Sequence, residues 1–233
     1  MHTFLFAFIF SMFSVSTPQT NTLAGLTYLV KEPVTKSDDA PLLIMLHGYG
    51  SNAQDLFGLA QFMPTRYRVI SIQAPITLAK GTYAWYHLDM AGGKPKYSYA
   101  EVEKSRKQIA QFIDEAKVKY KTKQVHLLGF SQGAIMSYSV AFKQPEKVKS
   151  ITALSGRILQ EVSASLKTSL ALQQLKVFVG HGTTDNVLPI TYGKEAQVIC
   201  TRLKVKLTYT EYAMGHEINQ TELNDILIWL DNM

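Results

Sequence analysis

The sequence predicts an α/β protein, a three-layer α/β/α sandwich on a mostly parallel, twisted sheet, and three observations carry that expectation. Short apolar runs alternate with amphipathic stretches at helical spacing, the pattern of a parallel sheet covered on both faces. Hydrophobic residues make up 46% and charged residues 18% of the chain, values that suit a globular core and exclude a disordered chain or a multi-span membrane protein. One compact domain from residue 18 to residue 233 accommodates the whole pattern, and no internal repeat is visible.

The elements follow in order. Residues 4–15 are almost wholly apolar and are followed by the small residues Ser16 and Thr17 before Pro18. That run is shorter than the ~20 residues a membrane-spanning helix needs and matches the ~7–15 of a secretory signal core. Residues 1–17 are therefore expected to be a signal peptide or a disordered N-terminus. The missing basic residue ahead of the run leaves a cytoplasmic protein as the alternative to an exported, periplasmic or secreted one. Strands are expected at 27–30, as an edge, and at 42–46, 69–73, 125–128, 148–154, 175–179 and 205–212. A helix is expected over 101–120, with Val102, Ile109, Phe112, Ile113, Ala116 and Tyr120 on one stripe. A second helical pattern covers 134–142. The last helix carries Leu223, Ile226, Leu227 and Leu230 on one face, with Asn219 and Glu222 spaced as a capping box. Residues 74–100, rich in Tyr, Gly and Pro, read as an irregular active-site loop.

Charge and cysteine content narrow the function classes. The formal charge is +6, but its densest lysines, between Lys104 and Lys123, alternate with apolar residues at helical spacing and form a solvated helix face rather than a nucleic-acid surface. The single cysteine, Cys200, permits no internal disulfide, and no Cys/His cluster has the spacing of a zinc site.

Chemistry concentrates in three loops. Gly129-Phe130-Ser131-Gln132-Gly133 lies between a strand pattern and a helix pattern, as in a nucleophile elbow, where a strained turn demands small flanking residues. A serine hydroxyl needs a base, and the base needs a carboxylate to hold its tautomer. Asp185 follows the strand at 175–179 and His216 follows the strand at 205–212, so the order Ser131, Asp185, His216 brings three loops to the carboxyl ends of strands. His47, His87, His126 and His181 occupy less suitable positions than His216, and Glu217 and Asp89 are weaker substitutes for Asp185. An oxyanion hole is expected from the backbone N–H groups of Gln132 and Tyr49, the latter in Leu46-His47-Gly48-Tyr49-Gly50. Trp85, Tyr86 and Leu188 are candidates for lining the substrate pocket, with core packing the alternative for each.

These residues together resemble the phospholipase/carboxylesterase family of the α/β-hydrolase superfamily, which includes acyl-protein thioesterases and small bacterial carboxylesterases. The likeness runs from about Pro41 onward and rests on Leu46-His47-Gly48 with Gly50, the elbow, the stretch from His181-Gly182 through Asp185 to Pro189, and Gly215-His216. It departs at Thr183 and Asn186, where the thioesterases often carry Asp and Pro. The residues between the strands ending near 154 and beginning near 175 are too few for a large lid domain. The resemblance implies a cofactor-free, metal-free serine carboxylesterase that cleaves small esters, or thioesters, through an acyl-enzyme. A lysophospholipase or acyl-protein thioesterase, or a non-catalytic binder on the same fold, stands as the alternative. Neither nucleic acid nor stable membrane insertion is expected, and monomer and homodimer both stay open.

Overall fold

A computed structural model describes residues 20–34, 37, 39–89, 91 and 95–233. The apolar run at 4–15 and the Gly92-Gly93 pair lie outside the described residues.

The chain runs β1 (Thr20–Leu23), β2 (Leu26–Lys31), β3 (Leu42–Leu46), α1 (Ala53–Phe57), β4 (Arg68–Ile72), β5 (Ile76–Ala79), β6 (Thr82–Ala84), α2 (Tyr99–Lys119), β7 (Val125–Phe130) and α3 (Gln132–Lys143). It continues through β8 (Ser150–Leu154), α4 (Gln160–Ser163), α5 (Leu170–Gln174), β9 (Lys176–Gly182), α6 (Thr191–Leu203), β10 (Lys206–Tyr212) and α7 (Gln220–Asp231). Eight strands form one sheet in the order β1-β2-β4-β3-β7-β8-β9-β10. All neighbours from β4 to β10 pair in parallel, and β1 and β2 add an antiparallel edge.

The pleat explains why the central strands read as unbroken apolar runs. In β3, Leu42, Ile44 and Leu46 enter a core shared with α2, α3 and α6, while Leu43 and Met45 enter the opposite core with Leu56 of α1 and Leu223, Ile226 and Leu230 of α7. Helices thus cover both faces, giving the expected three layers. The expected helix at 101–120 is α2, and its stripe residues Val102, Ile109, Phe112, Ile113 and Ala116 are all fully buried.

Strand order sets where the site falls. From β3 the chain moves outward to β4 on one side and then crosses to β7 on the other, so its direction reverses between β3 and β7. A crevice opens at the carboxyl ends of strands at such a reversal. Register pairs Leu46 with Gly129, which sets the loop after β3 beside the loop after β7.

Two elements differ from expectation. β1 is a polar, half-exposed strand joined to β2 by Ala24 and Gly25, both with positive φ, a tight turn that lacks the usual Asn-Gly signal. Residues 74–100 contain an antiparallel hairpin, β5–β6, instead of a wholly irregular loop.

Candidate active site

Ser131 sits between β7 and α3 with φ 54° and ψ −116°, a backbone conformation that costs about 1–3 kcal/mol for a non-glycine residue. Its surroundings hold it there. A Cβ at Gly129 would strike the carbonyl oxygen of Gly133, and one at Gly133 would strike that of Leu46, so both flanking glycines are required by backbone contact. The Ser131 N–H donates to Leu154 O at 2.9 Å, tying the turn to β8. The hydroxyl is left at the start of a twelve-residue helix, where the dipole favours developing negative charge.

The loops after β9 and β10 complete a hydrogen-bonded chain. His216 Nε2 lies 2.9 Å from Ser131 Oγ, and His216 Nδ1 lies 2.7 Å from Asp185 Oδ2. A carboxylate only accepts, so Nδ1 carries the proton and Nε2 is free to receive one from the serine hydroxyl. Asp185 is buried, and its Oδ1 accepts from the N–H groups of Val187 and Leu188 at 2.9 and 2.8 Å. Those bonds compensate the carboxylate for lost water and aim its other oxygen at the imidazole. The Phe130 ring packs against the other part of His216, centroids 5.0 Å apart. Asp89, the weaker substitute, is occupied by Ala91 N–H and pairs with Lys96 in a local bridge.

The neighbouring histidines hold structure. His181 is fully buried; its Nε2 donates to Leu188 O at 2.7 Å and stands 3.6 Å from Asp185 Oδ2, bracing that loop. His126, inside β7, is bonded to Ser150 Oγ at 2.7 Å, and burial depresses its pKa to about 4. Cys200 is buried in the core, which pushes its thiol up to about 12 and leaves it unreactive.

The two amides expected to form the oxyanion hole lie in the loops after β3 and β7, which the register of those strands sets side by side. The amides of Gln132 and Tyr49 make no hydrogen bond among the described residues. Gly48 lies close to Ser131, since a Cβ there would sit 3.3 Å from the serine Cβ. His47 orients the Gly48–Tyr49 peptide. Its Nε2 faces two donors, Ala74 N–H at 3.1 Å and Gln73 Nε2 at 3.3 Å, so Nδ1 carries the hydrogen and donates to Gly48 O at 2.7 Å. Burial lowers the pKa of His47, which keeps this neutral tautomer.

Trp85 and Tyr86, expected to line the pocket, do not; both are fully buried in the core. They clamp the two donor loops together instead. Trp85 Nε1 donates to His47 O at 2.9 Å, Trp85 N–H donates to Gln132 Oε1 at 2.8 Å, and Gln132 Nε2 donates to Tyr86 O at 2.8 Å. The hairpin adds two bonds to the same loop, Gly50 N–H to Tyr83 O and Tyr83 N–H to Ser51 O, both 2.9 Å. Leu188 is half-buried and packs against the core, contributing its backbone to the Asp185 loop. The cleft beside His216 has a volume of about 310 Å³, and its apolar wall comes from Leu56, Leu59, Phe130 and Ile218. Sequence reasoning missed these four. For Leu56, Leu59 and Ile218 the signal lay in the apolar residues that follow Gly50 and His216, and Phe130 stands inside the elbow itself.

Among the described residues no group of three or more His, Cys, Asp or Glu side chains is placed to hold a metal ion. No described helix is long and apolar enough to cross a membrane.

A parallel sheet with a strained serine at its carboxyl edge, bonded to histidine and then to carboxylate, is the arrangement of the α/β-hydrolase class. Comparison with known proteins agrees: the model of the phospholipase/carboxylesterase family matches residues 30–233, and the chain belongs to that family. Acyl-protein thioesterase 1 of Candida albicans is 25% identical over 223 residues, which cover 88% of this chain and 96% of that protein. The crystal structure of esterase PE8 is similar with a TM-score of 0.78 at 25% identity, covering 89% of this chain and 98% of that one. The Bacillus cereus carboxylesterase shares the fold with a TM-score of 0.77 at 20% identity, covering 89% and 94%. The chain is a serine ester hydrolase.

Proposed function

We propose that the protein is a carboxylesterase that cleaves small carboxylic esters through an acyl-enzyme on Ser131. The observation that carries this reading is the chain Ser131 Oγ, His216 Nε2, His216 Nδ1, Asp185 Oδ2, with bonds of 2.9 and 2.7 Å. In acylation, Ser131 Oγ attacks the acyl carbon while His216 Nε2 takes the hydroxyl proton and Asp185 holds the imidazole. The amides of Tyr49 and Gln132 receive the oxyanion, each worth about 2.7–4 kcal/mol of barrier. Collapse breaks the ester C–O bond, and His216 returns its proton to the departing alcohol. Water then attacks the acyl-enzyme with the same base, releasing the acid and restoring Ser131.

Hydrolysis of p-nitrophenyl esters from acetate to palmitate, with Ser131→Ala alongside, tests this reading. Release of p-nitrophenol by the native chain and its loss in the variant is the expected result. Equal rates for both proteins would overturn it. A thioesterase reading draws on the similarity to the Candida albicans protein. Faster turnover of an acyl thioester than of the matched oxygen ester would favour it. Export is proposed from the apolar residues 4–15, and the mass of the mature protein from its native host tests it: loss of about the first 17 residues is expected, and a full-length chain overturns it.

A further inference from the structure

We propose that Arg157 is a specificity residue that binds a carboxylate carried by the ester substrate, so that the enzyme prefers acidic esters to neutral ones. This inference rests on the esterase reading above and names the substrate class of that site.

Position comes first. Arg157 stands three residues beyond β8, in the loop that adjoins the nucleophile. Ser131 N–H donates to Leu154 O, the last residue of β8, and Gly156 is pressed so closely on Ala134 in the first turn of α3 that a Cβ would strike the Ala134 side chain. The loop's next residue therefore enters the carboxyl edge of the sheet beside Ser131. The apolar cleft lined by Leu59 and Ile218 lies beside His216, between α1 and the loop after β10.

Charge and pairing come second. Arg66, Arg68 and Arg106, the other arginines that are at least partly buried, each pair with a carboxylate at 2.7 to 2.9 Å. Among the described residues Arg157 has no such partner. Its Nε is buried with no acceptor among them, and the polar contact it does make there is a long 3.4 Å donation from Nη1 to Tyr192 Oη. The nearest acid in sequence, Glu161, accepts from Tyr97 Oη at 3.0 and 3.1 Å and forms no ion pair with Arg157. Arg157 is half-buried, so its guanidinium is partly withdrawn from water, and an anion that reaches it gains a charge-assisted partner.

Geometry comes third. The guanidinium carbon lies 5.6 Å from the Tyr97 ring centroid and 5.3 Å from that of Tyr192. Two aromatic neighbours hold the planar group, and its two Nη groups, of which Nη1 makes only the long contact to Tyr192, are the fork that grips a carboxylate through two bonds. Tyr192 belongs to the first turn of α6, which has no acidic residue and no side-chain cap, so that helix end adds to the positive potential.

The test compares kcat/KM for mono-p-nitrophenyl succinate, whose acyl portion ends in a carboxylate, with that for the neutral p-nitrophenyl butyrate. A second arm uses the acetyl ester of 3-hydroxypropionate against ethyl acetate, placing the carboxylate on the alcohol side. In one arm the native enzyme is expected to favour the acidic ester by about tenfold or more, and Arg157→Gln to abolish that ratio while Arg157→Lys retains part of it. A native ratio near one in both arms, or a ratio that survives in Arg157→Gln, overturns the proposal. If Arg157→Gln folds poorly, the native enzyme still decides: glutarate should compete with p-nitrophenyl butyrate where dimethyl glutarate does not, and equal inhibition by the two overturns it. Failure of the esterase reading itself is seen separately, as a native enzyme that hydrolyses neither ester of either pair.

Discussion

Two buried carboxyl groups lie near the C-terminal end of strand β9, and they are treated in opposite ways. Asp185 is 5% exposed, with one oxygen on two backbone amides and the other on His216. Glu222 is wholly buried in the first turn of α7, in the space that Gly180 leaves by lacking a side chain, and neither of its oxygens has a partner among the described residues. Burial alone therefore does not define a functional acid. Hydrogen bonds aim Asp185 at the imidazole, whereas desolvation, and secondarily the charge of Asp225, push Glu222 up to about 8.

The largest effect should come from removing the charge on the satisfied side. Asp185→Asn keeps the size but presents a donor as readily as an acceptor to His216 Nδ1, so kcat for p-nitrophenyl esters should fall by about 10³–10⁴ with the melting temperature little changed. A loss under tenfold would erase the contrast between the two acids.

Glu222 should break the other way. Its folded pKa lies above its unfolded value, so its contribution to stability is fully present in acid below that unfolded value and is lost as pH rises through about 8. Glu222→Gln should match the native protein below about pH 4 and exceed it at about pH 9 by on the order of a few kcal/mol, read from thermal unfolding across pH. A pH-independent difference would show that the carboxyl finds a partner in solution.

Smaller changes sharpen the same point for neutral groups. Trp85→Phe keeps the buried ring but deletes the 2.9 Å donation to His47 O, and kcat should drop by about tenfold, near the worth of one buried hydrogen bond, without a change in chain-length preference. Leu59→Ala should do the reverse. It widens the cleft wall, and kcat/KM across the p-nitrophenyl series should shift its optimum by one or two carbons, with a change of about tenfold or less.

The same contrast explains what could be read from the chain alone. The elbow was legible because its constraint is local: two glycines at fixed spacing, set between a strand pattern and a helix pattern. Asp185 was legible because it follows the apolar strand β9, and His216 because it follows the alternating, half-exposed strand β10 at the sheet edge. Trp85 and Tyr86 were misplaced because aromatic side chains have the same composition signal whether they line a cleft or fill a core. Only the bonds from Trp85 to His47 O and Gln132 Oε1 distinguish the two. Glu222 was half legible. Asn219 Oδ1 does accept from Glu222 N–H at 2.9 Å, but the carboxyl turns into the core toward Gly180 instead of back to the cap, a destination set by a strand forty residues away. Strand β1 escaped because its four residues, Thr20, Asn21, Thr22 and Leu23, alternate between exposed and half-buried and have no apolar face to announce them.

The most direct test of the account is the intact mass of the protein after a fluorophosphonate probe, in the native chain and in Ser131→Ala. One covalent adduct on the native protein and none on the variant is the expected result. An adduct that persists in Ser131→Ala, or a folded native chain that takes none, would contradict it.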